Sequence, residues 1–155
     1  MNTLYLILKL VHILGAMVWL GGIVALVVLN ARLGREGNPT MMAALGRQSE
    51  FFGRMVLGPA MLVTLLAGLF TAGVARFPFT TLWIVWGIIG FVMSILIGVI
   101  AVQRASTDLA TIAREGRPDD PRLGTARGRL VALNAVNLVV LISIVAAMVI
   151  KPTLS

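Results

Sequence analysis

His12 is the only histidine of the chain. It lies in the apolar run Leu10-Val11-His12-Ile13-Leu14-Gly15-Ala16-Met17-Val18-Trp19-Leu20-Gly21-Gly22. An ionisable side chain at membrane depth is costly, so it marks a candidate functional site whose partner must be found. Imidazole is also the best metal or heme ligand on offer, since the chain has no cysteine. Three chemistries are open to this ring. It can be a neutral group tied to a neighbouring helix, through Ser143 or a backbone carbonyl. It can ligate heme iron, with Gly15 and Gly22 leaving room for something flat or for another helix. It can also handle a proton or a metal ion.

The heme reading draws in further residues. Lys9 stands one turn before His12, close enough to the outer surface to snorkel. Ala16, Trp19 and Ile23 continue the same stripe. One histidine leaves the sixth iron position to another donor. Counting inward from the outer helix ends brings Met148, Trp83 and Trp86 near the level of His12. A two-fold dimer sharing heme between two copies of His12 is the other route. Lys9, Arg76 and Lys151 gather toward the outer surface, as partners for heme propionates or as interfacial anchors. Trp19 is deeper than the interfacial belt, and it packs either on a flat cofactor or in the core. The expected set is therefore heme b held by His12 as iron ligand, with Lys9, Trp19, Arg76 and Met148 around it.

Other chemistries are excluded. No carboxylate falls within an apolar run, which removes a carboxylate proton relay or sodium site. No Ser/His/Asp set agrees in depth, and the eight methionines form no ladder for copper(I). Asn134 and Asn137 read as glue between helices, with Asn30 or Gln103 as partners. Charged pairs such as Asp108 with Arg104, or Glu115 with Arg114, read as solvated faces.

The elements that must position these groups are transmembrane helices. The chain has 155 residues, 59% hydrophobic and 12% charged. A soluble domain of this size could not hide that much apolar surface. Four runs reach the roughly 20 residues a bilayer requires: Leu4–Leu29, Met55–Gly73, Leu82–Val102 and Leu130–Ile150. The expected fold is an all-α, integral membrane four-helix antiparallel bundle, one transmembrane domain over 1–155. The start reads as a retained first span, since no basic residue precedes it and no small-residue cleavage pattern closes it. Arg32, Arg35, Arg47 and Arg54 mark the first connection. Arg104, Arg114, Arg117, Arg122, Arg127 and Arg129 mark the third. By the positive-inside rule both face the cytoplasm, both termini lie outside, and His12 falls in the outer half. The net charge of +7 is thus assigned to topology and anionic headgroups rather than nucleic acid.

Local signals refine the helices. Asn38-Pro39 and Asp120-Pro121 each place an N-cap before a proline at the first helical position. The third helix should run past Ala113 until Gly116 and Pro118 stop it. Pro59 should kink the second. Ala60, Thr64 and Gly68 line one face of the second span, and Gly90, Ser94 and Gly98 one face of the third, as close-packing surfaces.

The pattern His12-x-x-Gly15-x-x-x-Trp19-x-Gly21-Gly22, preceded by Lys9, resembles the opening helix of a group of small bacterial membrane proteins. The group includes copper-resistance-D-like proteins, the HemJ-type protoporphyrinogen IX oxidase and an uncharacterised domain-of-unknown-function family of this length. Gly58-Pro59-Ala60-Met61 through Gly68-Leu69 resembles the second helix of that group, and Trp83 fits the start of the third. The resemblance implies a four-helix membrane fold and a heme-linked role for His12. The oxidase group pairs that histidine with a third-helix lysine, yet no basic residue lies between Leu82 and Val102. Further ligands expected of the copper branch are missing too. The uncharacterised family is the best match, and it implies a fold without a reaction.

The expectation is a heme-binding protein of the bacterial inner (plasma) membrane, serving electron transfer or heme handling, and of oxidoreductase type if it is an enzyme. A homo-dimer or larger membrane complex would be its setting. The competing class is an accessory subunit without cofactor. A small-solute or ion transporter ranks last, since Pro59 is the only break in any span.

Overall fold

Apolar runs of this length must close their backbone hydrogen bonds within one helix, because lipid offers no other partner. The computed structural model describes residues 2–36, 48, 51–115 and 120–151, and four of its helices are long and apolar enough to cross a membrane. No strand occurs among the described residues. The protein is all-α, as its composition requires. Its chain divides into two compact units, Met1–Phe79 and Thr80–Ser155.

The first unit is a helical hairpin. Helix α1 spans Thr3–Glu36. It begins there because the Asn2 side chain accepts from Leu4 N at 3.1 Å and supplies an N-cap. At 1.5 Å per residue its 34 residues make about 51 Å, longer than the hydrocarbon layer. Helix α2 (Gly58–Val74) is preceded by a π segment, Gly53–Leu57. Gly58 N bonds back to Gly53 O, five residues away, one step before the proline that has no N–H to give.

Helix α2 ends without glycine. Ala75 is its C-cap, and Arg76 follows at φ 55°. Phe77 N donates to Ala72 O and Arg76 N to Gly73 O, both at 3.0 Å, which closes the paired bonds of a Schellman motif. Arg76 therefore occupies a left-handed position that glycine would fill with less strain.

The two helices run antiparallel, as their contacts show. Proceeding up α1, Gly15 meets Ala60 and Thr64, while Gly22 meets Leu57 and Phe52. A Cβ on Gly15 would lie 2.7 Å from Thr64 Oγ1 and 3.3 Å from Ala60 O. The small-residue face of α2 thus lets the backbones approach, as its spacing predicts.

The second unit is also an antiparallel hairpin. Helix α3 (Leu82–Ile95) continues through a π segment, Leu96–Val102, into α4 (Gln103–Glu115). Helix α5 (Pro121–Ile150) returns. Gly87 receives Met148, Gly90 receives Ile144 and Val140, and Gly98 lies beside Asn137. The Asp120-Pro121 start holds: the Asp120 carboxylate accepts from Arg122 N at 2.9 Å. Its bidentate bond with the Arg122 guanidinium holds the carboxyl below its ordinary 3.8. Asn38-Pro39, Gly116 and Pro118 lie outside the described residues.

Polar side chains in the spans mostly satisfy themselves on their own helix. Thr64 Oγ1 donates to Ala60 O, Thr71 Oγ1 to Ala67 O, Asn134 Nδ2 to Leu130 O and Ser143 Oγ to Val140 O, at 2.6–2.9 Å. Asn134 Nδ2 is thus turned to its own helix. Asn137 does join two helices, but its partner is Ser94, whose hydroxyl donates to Asn137 Oδ1 at 2.7 Å with both residues buried.

Candidate functional site

The face of α1 that meets α2 carries His12, Gly15, Trp19 and Gly22. These positions follow the i, i+3, i+7, i+10 spacing of one helical stripe. The stripe expected through Ala16 and Ile23 is thus turned by about one residue. Trp19 is buried on this face. Gly15 makes room for α2, and Gly22 for Leu57 and Phe52 just before it.

His12 is half-buried, and its ring reaches the α2 backbone. Nδ1 lies 2.7 Å from the carbonyl oxygen of Thr64. A carbonyl can only accept, so Nδ1 carries the proton and donates it. In the neutral ring the lone pair then belongs to Nε2. Of the partners foreseen for a structural histidine, the backbone carbonyl is the one used. Ser143, the alternative, accepts instead from Trp86 Nε1 at 3.2 Å.

Gly68 makes this bond sterically feasible. It lies one turn beyond Thr64, and a Cβ there would sit 2.8 Å from both Cε1 and Nδ1 of the imidazole. The ring lies in the notch of the missing side chain. Thr64 reinforces the floor of that notch. It is buried, and its hydroxyl is spent on Ala60 O, so only its main-chain oxygen addresses the ring. Thr64 and Gly68 are the site residues that sequence reasoning missed as such. Their signal was present as a small-residue face, which reads first as packing.

The remaining predicted residues fall as follows. Lys9 is exposed, with Nζ 5.9 Å from the centre of the Tyr5 ring, a cation–π arrangement. Arg76 is exposed at the end of α2. In an antiparallel hairpin Lys9 and Arg76 belong to the same end, beyond His12 from the hairpin centre. Trp19 lies two turns the other way. Met148 belongs to the second unit, where its Cε fills the space over Gly87, 3.1 Å from where a Cβ would be. Lys151 is also in that unit, with Nζ 5.7 Å from the centre of the Trp83 ring. It closes α5 at φ 48°.

The donor set bears on which ligand the site suits. Among the described residues no three of His, Cys, Asp or Glu converge as they would around a protein-ligated metal ion. A single imidazole with a fixed N–H suits a macrocycle that already supplies four donors better than a bare ion that needs three or four from protein.

Comparison with known proteins gives one finding. The model of a family described as predicted integral membrane protein (DUF2269) matches residues 6–152. No curated protein and no solved structure matches the chain.

Proposed function

The chain belongs to the DUF2269 family of integral membrane proteins, and from that premise we propose that it binds heme b through His12 Nε2 and serves electron transfer or heme handling. The observation that carries the reading is the 2.7 Å bond from His12 Nδ1 to Thr64 O. Ligating histidines almost always donate their other ring N–H to a carbonyl, carboxylate or water, which fixes the tautomer and raises the basicity of the ligating nitrogen. His12 meets that condition, in a notch that Gly68 keeps open.

When bound, heme supplies a one-electron redox centre. The rest is the work of the chain. His12 holds the iron position, and the Thr64 carbonyl keeps the ring from rotating. Lys9 and Arg76, at one end of the hairpin, supply cations for propionate carboxylates. Trp19 covers the buried side of the same helix face. A second copy of His12 would supply the other iron donor. A bacterial plasma membrane, the kinship with copper-resistance-D-like and HemJ-type proteins and an oxidoreductase role belong to this proposal.

The same bond also favours a second reading. His12 would then be a clamp between α1 and α2 in an accessory subunit that holds no cofactor. Absorption separates the two. Protein expressed with ample heme and purified in mild detergent should keep a Soret band that His12→Ala abolishes. A folded, colourless wild-type protein overturns the heme reading and leaves the clamp.

A further inference from the structure

In the second unit, α4 and the start of α5 extend beyond the apolar part of the hairpin. Twenty residues of α5 counted back from Ile150 end at Val131, and this length spans the hydrocarbon layer. Arg129 therefore stands at the edge of that layer, and Arg122 about 10 Å farther out at 1.5 Å per residue. A groove of about 400 Å³ runs between the two helices over this stretch. Arg122, Thr125 and Arg129 line it from α5 at i, i+3 and i+7, so they form one stripe of donors. Ala105 and Ala126 keep it open.

We propose that this groove holds the phosphate of an anionic phospholipid. Its depth is that of the headgroup layer, which makes a lipid the occupant rather than a soluble anion. Among the described residues Arg129 pairs with Asp108, at a loose 3.9 Å, and it is mostly exposed, so its fork faces outward for a phosphate. Asp120 is committed to the α5 cap and to Arg122, which it holds at the mouth of the groove. Asp108 is the anion on the opposite wall, and it competes for Arg129. The Arg129 guanidinium over an apolar floor suits a headgroup phosphate whose acyl chains continue along α5 into the bilayer.

The test uses the full chain, delipidated in detergent and offered equal amounts of phosphatidylglycerol and phosphatidylcholine with identical acyl chains. Native mass spectrometry reads the retained lipid. Phosphatidylglycerol should be retained about tenfold over phosphatidylcholine. The Arg122→Gln/Arg129→Gln variant should lose that preference, and Arg54→Gln, in the other hairpin, should keep it. Asp108→Asn should strengthen it, and this gain decides the matter if the double variant does not fold. Millimolar inorganic phosphate should not displace the lipid. Equal retention of both lipids, an unaffected double variant or displacement by phosphate would overturn the proposal.

Discussion

Replacing Gly68 with alanine tests the His12 notch most sharply, because two opposing effects can be sized. Alanine is the better helix former by about 0.5–1 kcal/mol, so a helical glycine in open space should gain from the change. Gly68 is not in open space. Its new Cβ would meet Cε1 and Nδ1 of His12 at 2.8 Å, where ordinary contact begins at 3.4 Å. An imidazole is rigid, and its edge here is pinned to a backbone oxygen. To relieve the contact the ring must retreat by about 0.6 Å, which stretches the 2.7 Å bond to Thr64 O beyond the usual hydrogen-bond range. Losing that bond costs about 1 kcal/mol, and crowding a packed helix pair costs about 1–3 kcal/mol more. The net expectation is a loss of about 1–3 kcal/mol. Gly73→Ala is the control on the same helix, since a Cβ there meets nothing within 4 Å. Unfolding in detergent, followed by circular dichroism, should find Gly68→Ala less stable than wild type and Gly73→Ala no less stable. If the two variants behave alike, the reasoning from the notch fails.

Other perturbations follow from the same structure. Arg76→Gly should raise stability by about 1 kcal/mol in the same unfolding assay, because the residue at φ 55° no longer carries a side chain. The Asp120 carboxyl is held low by Arg122, so its capping contribution is complete above the ordinary carboxyl value and is lost as pH falls through the lowered one. The protection of the Arg122 and Leu123 amides, relative to their intrinsic exchange at each pH, should fall on acidification below that range in wild type and show no such step in Asp120→Asn. Ser94→Ala should cost about 0.5–2 kcal/mol by leaving Asn137 Oδ1 buried without its donor. Adding Asn137→Leu should recover part of that loss in a double-mutant cycle.

Much of the architecture was legible because lipid simplifies the code. An apolar run of 20 residues has one stable backbone solution, so four long apolar helices were legible, though two of them extend well past the apolar runs that mark them. The Asp120-Pro121 start was legible because an N-cap before proline is a local signal. What runs between helices was less so. Asn137 pairs with Ser94, not Asn30 or Gln103, because depth counted from helix ends drifts by a turn and a turn changes the partner. The π segment at 96–102 shifts the helical register without any residue type that demands it. Around His12, the histidine and the small-residue face of α2 were each visible. That one docks into the other depends on the pairing of the two helices, which neither helix specifies alone.

The most direct measurement uses the fact that the chain has one histidine. Protein labelled with ¹⁵N-histidine and kept free of heme reports a single imidazole by NMR. The account predicts a fixed tautomer with the proton on Nδ1, held by Thr64 O, and an unprotonated Nε2. The Nε2–H tautomer, or a ring exchanging between the two, would contradict it and remove the ligand on which the proposed function depends.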